Sequence, residues 1–327
     1  ETIRRAINHA LAQAAEGRKV VSLSPPDGLG YCECERCLEV FQGGDPFREH
    51  NTMFARRPDG TLVNITSETF FHMVNEAARA VAAKYPDVMI GTYAYSAYSH
   101  PPSFDFEPNV FVQTTTAFRR TPLSQEDQFA AFGRKSEQLG IREYYSVYQW
   151  DWDNPAVREG SLALDSLPDD LREFHASGVT AINAEASNNW GPRGLGYYVA
   201  ARLLWDVNED VPALIRDFNE KAFGPAAPHM ERYYVRWYGP NAAASGADET
   251  ARDETAAEKS PTPDDELGDA AEAKKGPYDK AQLRAAFHDL DAAVKATKDH
   301  PDCRARIDQL RLYLHYLVLR LQVEDAA

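Results

Sequence analysis

A chain of 327 residues with 43% hydrophobic and 11% aromatic side chains can build one large domain with an appendage, or two domains. Its net charge of −15 excludes the basic face that nucleic-acid phosphates require, and no apolar run approaches the ~20 residues that span a bilayer. Ten acids against Arg252 and Lys259 between Asp248 and Glu272 supply −8 of that charge, so the rest of the chain carries only −7, an ordinary solvated surface.

The chain opens on ETIRRAINHALAQAAEG, where Ile3, Ile7 and Leu11 space an amphipathic helix closed by Gly17. Neither an initiator Met nor a signal peptide stands there, so this end is expected to continue from a preceding segment. Residues 19–24 read as a buried strand that breaks on Ser24, Pro25 and Pro26 and delivers Asp27 into a glycine-flanked turn. Residues 25–64, rich in Gly, Pro, Asp and Arg, read as one long irregular stretch, and loops of that length in compact domains are usually functional. Thr66 or Ser67 then caps a helix over 68–84, with Phe71, Val74, Ala78 and Val81 on its apolar face and Pro86 as its stop.

Further strands are expected at 88–94, 110–114, 141–150 and 179–184. Helices are expected at 126–139, ended by Gly140, at 167–176, and from 196 to 205. Residues 211–238 read as helical with a Gly-Pro break. Two apolar stripes, Leu283, Phe287, Leu290, Val294 and Ile307, Leu310, Leu314, Leu317, Leu321, predict a closing helical pair with Pro301 between its members.

Short apolar strands alternating with helices mean parallel βαβ units. The expected class is α/β of the (β/α)8 TIM-barrel type, with only the C-terminal five βα units in this chain, plus a C-terminal helical region. An open doubly wound sheet is the alternative, but no GxGxxG follows a strand and no GxxxxGK[ST] is present. The expected layout is a barrel part over 1–210, a helical extension over 211–240, an acidic flexible linker over 241–277 and a helical hairpin over 278–327.

Strand ends are where such folds place chemistry. Asp27 follows the first strand and Glu185 the fifth. Hydrolysis of a glycosidic bond needs one carboxyl group to protonate the leaving oxygen and a second to supply or steer the nucleophile. Asp27 also reads as the turn-former of Pro-Asp-Gly. Glu185 is followed by Asn188, Asn189 and Trp190, amides for hydroxyl groups and an aromatic plate for a sugar ring. Tyr93, Tyr95, Tyr98 and His100 follow one strand, and Gln149, Trp150, Asp151 and Trp152 another. Asp151 is the reserve carboxylate, or a loop cap. The expected sugar-lining residues are Tyr93, Tyr95, Tyr98, Trp150, Asn188, Asn189 and Trp190.

Cys32, Cys34 and Cys37 are three of the four cysteines, too few for a disulfide-built scaffold. They fit a structural zinc with His50 or Cys303 as fourth ligand, a disulfide plus one thiol, or reduced thiols packing a loop. No cofactor is needed for carboxylate catalysis, and no GxSxG elbow supports a serine triad.

SLSPPDGLGYCECERC, GTYAYSAYSHPP, INAEASNNWGPRGLGYYVAARLLWD and FNEKAFGPAAPHMERYY resemble domain-of-unknown-function family 4838 over about residues 20–238. That family is linked to glycoside hydrolase family 163 and often follows an α-glucuronidase-like domain. The resemblance implies a TIM-barrel hydrolase acting on β-linked, N-acetylglucosamine-containing glycans, extracellular or periplasmic, with Asp27 and Glu185 as active-site acids. On a 2-acetamido sugar, one acid would donate the proton and the other orient the amide. The acidic segment and C-terminal helices fall outside the resemblance. Expected partners are an oligosaccharide or polysaccharide and a second copy through the C-terminal helices, with no nucleic acid and no membrane. The rivals are a non-catalytic glycan-binding or scaffold protein with a degenerate barrel, and a zinc-dependent protein centred on the cysteine loop, including a zinc-stabilised α-glucuronidase-like hydrolase.

Overall fold

A computed structural model describes residues 1–25, 34, 46–146, 162, 164–186, 190–238 and 280–324. The expected acidic linker over 241–277 lies outside them. The described residues fall into two compact units, residues 1–143 with 176–184, and residues 144–175 with 185–238 and 280–324.

The first unit begins with α1 (Thr2–Ala15), whose Ala10 and Ala14 are buried and which stops where Gly17 takes a φ of +90°, open to glycine and strained for other residues. Strand β1 (Val20–Ser22) follows. The expected irregular stretch before residue 64 instead contains an antiparallel sheet of β2 (Phe47–Glu49), β3 (Thr52–Arg56) and β4 (Leu62–Asn64). Three strands this short leave little periodicity to detect. Pro58, Asp59 and Gly60 form the β3–β4 turn, where Asp59 Oδ1 accepts the Thr61 N–H at 2.9 Å and Gly60 sits at φ +86°.

Helix α2 (Ile65–Ala82) is capped by Asn64, not by Thr66 or Ser67. Its Oδ1 accepts the Ser67 N–H at 2.9 Å, and the two expected caps lie already inside the first turn. Phe71, Val74, Ala78 and Val81 are fully buried on the face that the spacing predicted. Strands β5 (Met89–Ser96) and β6 (Val110–Arg119), helix α3 (Gln125–Gly133) and strands β7 (Gln138–Tyr144) and β8 (Ala181–Glu185) complete the main sheet. All five expected strands are present, in the order β1-β5-β6-β7-β8, as one curled parallel sheet.

The fourth strand starts earlier than expected, because Gly140 is not a helix stop. A Cβ there would lie 2.6 Å from Phe111 Cζ and 3.0 Å from the Ala181 carbonyl oxygen, so this mid-strand position admits only glycine without a shift of its neighbours. On one face of the sheet Val21, Ile90, Ala94, Val110, Val112 and Leu139 share an apolar cluster with α1, α2 and Phe132 of α3. Side chains alternate along a strand, and parallel partners share a face. The other face is therefore built from Val20, Gly91, Tyr93, Phe111, Gln113, Gly140, Arg142 and Asn183, with Tyr93 paired to Gln113 and Gln113 to Gly140.

The second unit takes in the last strand residues Tyr144 and Glu185 and is otherwise mainly helical among its described residues. It holds α4 (Leu167–Ala176, whose last residue counts with the first unit), α5 (Trp190–Trp205), α6 (Val211–Phe223), a 3₁₀ turn at Gly224–Ala226, α7 (Ala227–Tyr238), α8 (Lys280–Ala296) and α9 (Pro301–Glu324). Helix α5 starts six residues before the expected 196. Pro192 is tolerated in a first turn, where N–H groups need no intrahelical partner, while Gly191, Gly194 and Gly196 hide the helix from propensity. Pro301 opens α9 and lies within it. Helices α8 and α9 pack on each other, and Asp289 on α8 accepts a 2.6 Å bond from Arg236 Nε on α7.

Candidate functional site

Among the described residues, the open face of the main sheet carries a polar cluster that spans several strands. Arg142 Nη1 on β7 donates to Asn183 Oδ1 on β8 at 3.3 Å, and Asn183 Nδ2 donates to the Tyr93 hydroxyl on β5 at 3.0 Å. The Arg142 guanidinium lies 5.8 Å from the centre of the Tyr93 ring, within cation–π range. Strands β5 and β8 stand three places apart in the sheet, about 14 Å at the usual ~4.8 Å spacing, so these side chains meet only because the sheet curls. Asn183 is exposed and Tyr93 half-buried, leaving the cluster open to solvent.

Glu185 is the last residue of β8 and partly exposed, and the chain passes into the second unit at this position. Its carbonyl oxygen accepts the Ser146 N–H at 3.0 Å, which continues the β7–β8 pairing past the end of β7. The strand therefore fixes Glu185 from its own backbone.

The other expected residues separate. Tyr95 packs edge-on against Tyr98 and Phe118. Tyr98 is 2% exposed and lies on Phe70, centroids 4.4 Å apart, which makes it a core side chain and not a plate for a sugar. Trp190 is 63% exposed at the start of α5, its ring 4.8 Å from Tyr197. Asp27, Asp151, Trp150, Asn188, Asn189, Cys32 and Cys37 lie outside the described residues. Cys34 is exposed. Among the described residues no group of three His, Cys, Asp or Glu side chains is placed to hold a metal ion, and no helix is long and apolar enough to cross a membrane.

Two buried groups beneath the strand ends escaped the sequence reading. Glu143 on β7 is 4% exposed and accepts a 2.6 Å bond from the Thr116 hydroxyl on β6. Glu68 on α2 accepts from the Ser103 N–H and hydroxyl at 2.5 and 2.8 Å, with Arg57 at 3.8 Å. Burial raises the Glu68 carboxyl above its usual range in spite of those donors. His100, expected near a cleft, is buried, with Nδ1 2.9 Å from the Thr121 hydroxyl and its ring edge-on to Phe54. Burial pushes its pKa down to about 4, so the imidazole is neutral at physiological pH. Arg142 and Asn183 were missed as well. The alternation R-E-Y in β7 and N-A-E in β8 was their only signal, and it is legible only once the strand bounds are known.

No curated protein matches the chain. The family profile of the domain of unknown function DUF4838 matches residues 1–235, from the first helix through the parallel sheet and into α7, and the chain belongs to that family.

Proposed function

We propose that this protein is a glycoside hydrolase whose five parallel strands are part of a (β/α)8 barrel, acting on a β-linked, N-acetylglucosamine-containing glycan. The observation that carries the proposal is Glu185, a partly exposed residue held at the C-terminal end of a parallel strand. Carboxyl ends of strands are where parallel α/β folds carry their reactive groups.

In this reading Glu185 is the general acid/base and Asp27 the second carboxylate, with Asp151 in reserve. Glu185 protonates the glycosidic oxygen as the bond to the anomeric carbon lengthens, and the second carboxylate attacks that carbon, steers water to it, or orients the sugar's own acetamido group. Tyr93 and Asn183 supply hydrogen bonds to the sugar. The chemistry needs no cofactor, and a zinc on Cys32, Cys34 and Cys37 would have a structural role.

Glu185→Gln tests the assignment. It keeps the side chain's shape and removes the transferable proton, so turnover of an aryl N-acetylglucosaminide is expected to fall by ~10²–10⁴. Activity close to that of the parent protein would reject the role of Glu185. A parent protein that turns over no such substrate would reject the hydrolase reading.

A further inference from the structure

The hydrogen bonds on the open face of the sheet have a direction that the residue types alone decide. A guanidinium has donors and no acceptor, so the Asn183 atom facing Arg142 must be the carbonyl oxygen. That fixes the amide, and the atom facing Tyr93 is then the NH2 group. The Tyr93 oxygen accepts this bond, so its own O–H hydrogen points elsewhere, and the Asn183 amide is the hydrogen-bond partner that this hydroxyl has among the described residues. Asn183 is exposed, and its amide nitrogen carries a second N–H beyond the one given to Tyr93. Arg142 thus polarises Asn183, and Asn183 polarises Tyr93.

We infer that Tyr93 and Asn183, oriented by Arg142, form a donor-presenting subsite that reads an sp² oxygen of a bound sugar, either an acetamido carbonyl or a carboxylate. The inference rests on the reading of this protein as carbohydrate-active and adds to it the chemical group recognised. An sp² oxygen accepts two converging hydrogen bonds, and a positive charge nearby strengthens both. A sugar hydroxyl in the same place is a weaker acceptor and has to turn its own hydrogen away. A protonated amine, which only donates, is excluded. Arg142 is a positioning residue here, since it acts through Asn183.

Asn183→Asp is the decisive variant, because it exchanges one group for another of nearly the same shape and reverses the polarity. The new carboxylate accepts from Arg142 and also from the Tyr93 hydroxyl, turning that hydrogen inward. Binding is measured by calorimetry with the full chain, using chitobiose for the acetamido group, a glucuronic-acid disaccharide for the carboxylate, and cellobiose as the hydroxyl-only control.

The parent protein is expected to bind one of the first two at least ~10-fold more tightly than cellobiose, about the worth of one good hydrogen bond. Which of the two it prefers identifies the source of the oxygen. Asn183→Asp and Tyr93→Phe are each expected to erase the preference while circular dichroism and melting temperature stay at parental values. Equal binding of all three sugars, binding of none, or a preference that survives Asn183→Asp overturns the inference. The assay needs no turnover, so inactive protein with this preference leaves the subsite standing. Active protein without the preference removes the subsite alone.

Discussion

The two faces of the main sheet are made from the same strands and differ in almost every physical respect. One is closed by α1, α2 and α3 around Phe71, Val74, Ile90, Val110 and Val112, all fully buried. The other has Val20 at 57% exposure, glycine at 91 and 140, and a Tyr–Asn–Arg cluster facing solvent. The first face buries the apolar side chains that hold the strands, and the second leaves Tyr93, Asn183 and Arg142 outside that core. Period-2 alternation lets one set of strands serve both purposes, because each residue serves one face and its neighbour the other.

Substitutions should separate the two faces by size of effect. Phe71→Ala removes a ring that touches Phe70, Tyr98, Phe106 and Phe132, and is expected to cost about 3–5 kcal/mol in chemical denaturation. A loss below ~1 kcal/mol would mean that the helix-covered face is not where stability resides. Acidification comes next. The folded protein holds His100 down to a pKa of about 4, whereas the unfolded chain protonates it near 6.5. The stability this contributes is complete above about pH 6.5 and is lost as pH falls through 4, by up to about 3 kcal/mol. His100→Gln should flatten that acid limb, and the nuclear magnetic resonance titration of the His100 ring checks the midpoint directly.

Gly140→Ala probes the open face. Its methyl group meets Phe111, Gln113 and the Ala181 carbonyl at 2.6–3.0 Å, so a cost of about 1–3 kcal/mol in the melting transition is expected. A neutral result would show that Phe111 moves freely and that this face has no packed floor. Asn64→Ala removes the α2 cap together with the buried bond from its Nδ2 to the Thr52 hydroxyl, and should cost about 1–2 kcal/mol.

Much of the fold was legible in the chain. Five apolar runs became five strands, and residues 167–176 became a helix with the expected bounds. The misses have local causes. Glycine at 140 reads as a stop, yet it serves a close approach between strands that no single-sequence pattern reports. The antiparallel sheet over 47–64 consists of strands of three to five residues, below the length at which alternation can be counted. The candidate site was partly legible: Glu185 ends its strand as expected and Tyr93, expected at a strand end, lies inside β5, while Tyr98, its companion in the same aromatic run, is core. What separates them is position: Tyr93 is within β5, and Tyr98 lies past its end against Phe70 and Phe71 of α2. Pro-Asp-Gly shows the same limit, since the copy at 58–60 forms a hairpin turn, while the copy at 26–28 lies outside the described residues.

Backbone ladders set the spacing of neighbouring strands but leave free how far the ribbon of strands bends. A phenol and an amide that meet across two intervening strands register that bend, because their combined reach spans a chord under the arc. The radius of this wall is thus recorded in side-chain lengths. A change in that bend would part Tyr93 from Asn183, so the distance between these two side chains reads out the arc of the strands.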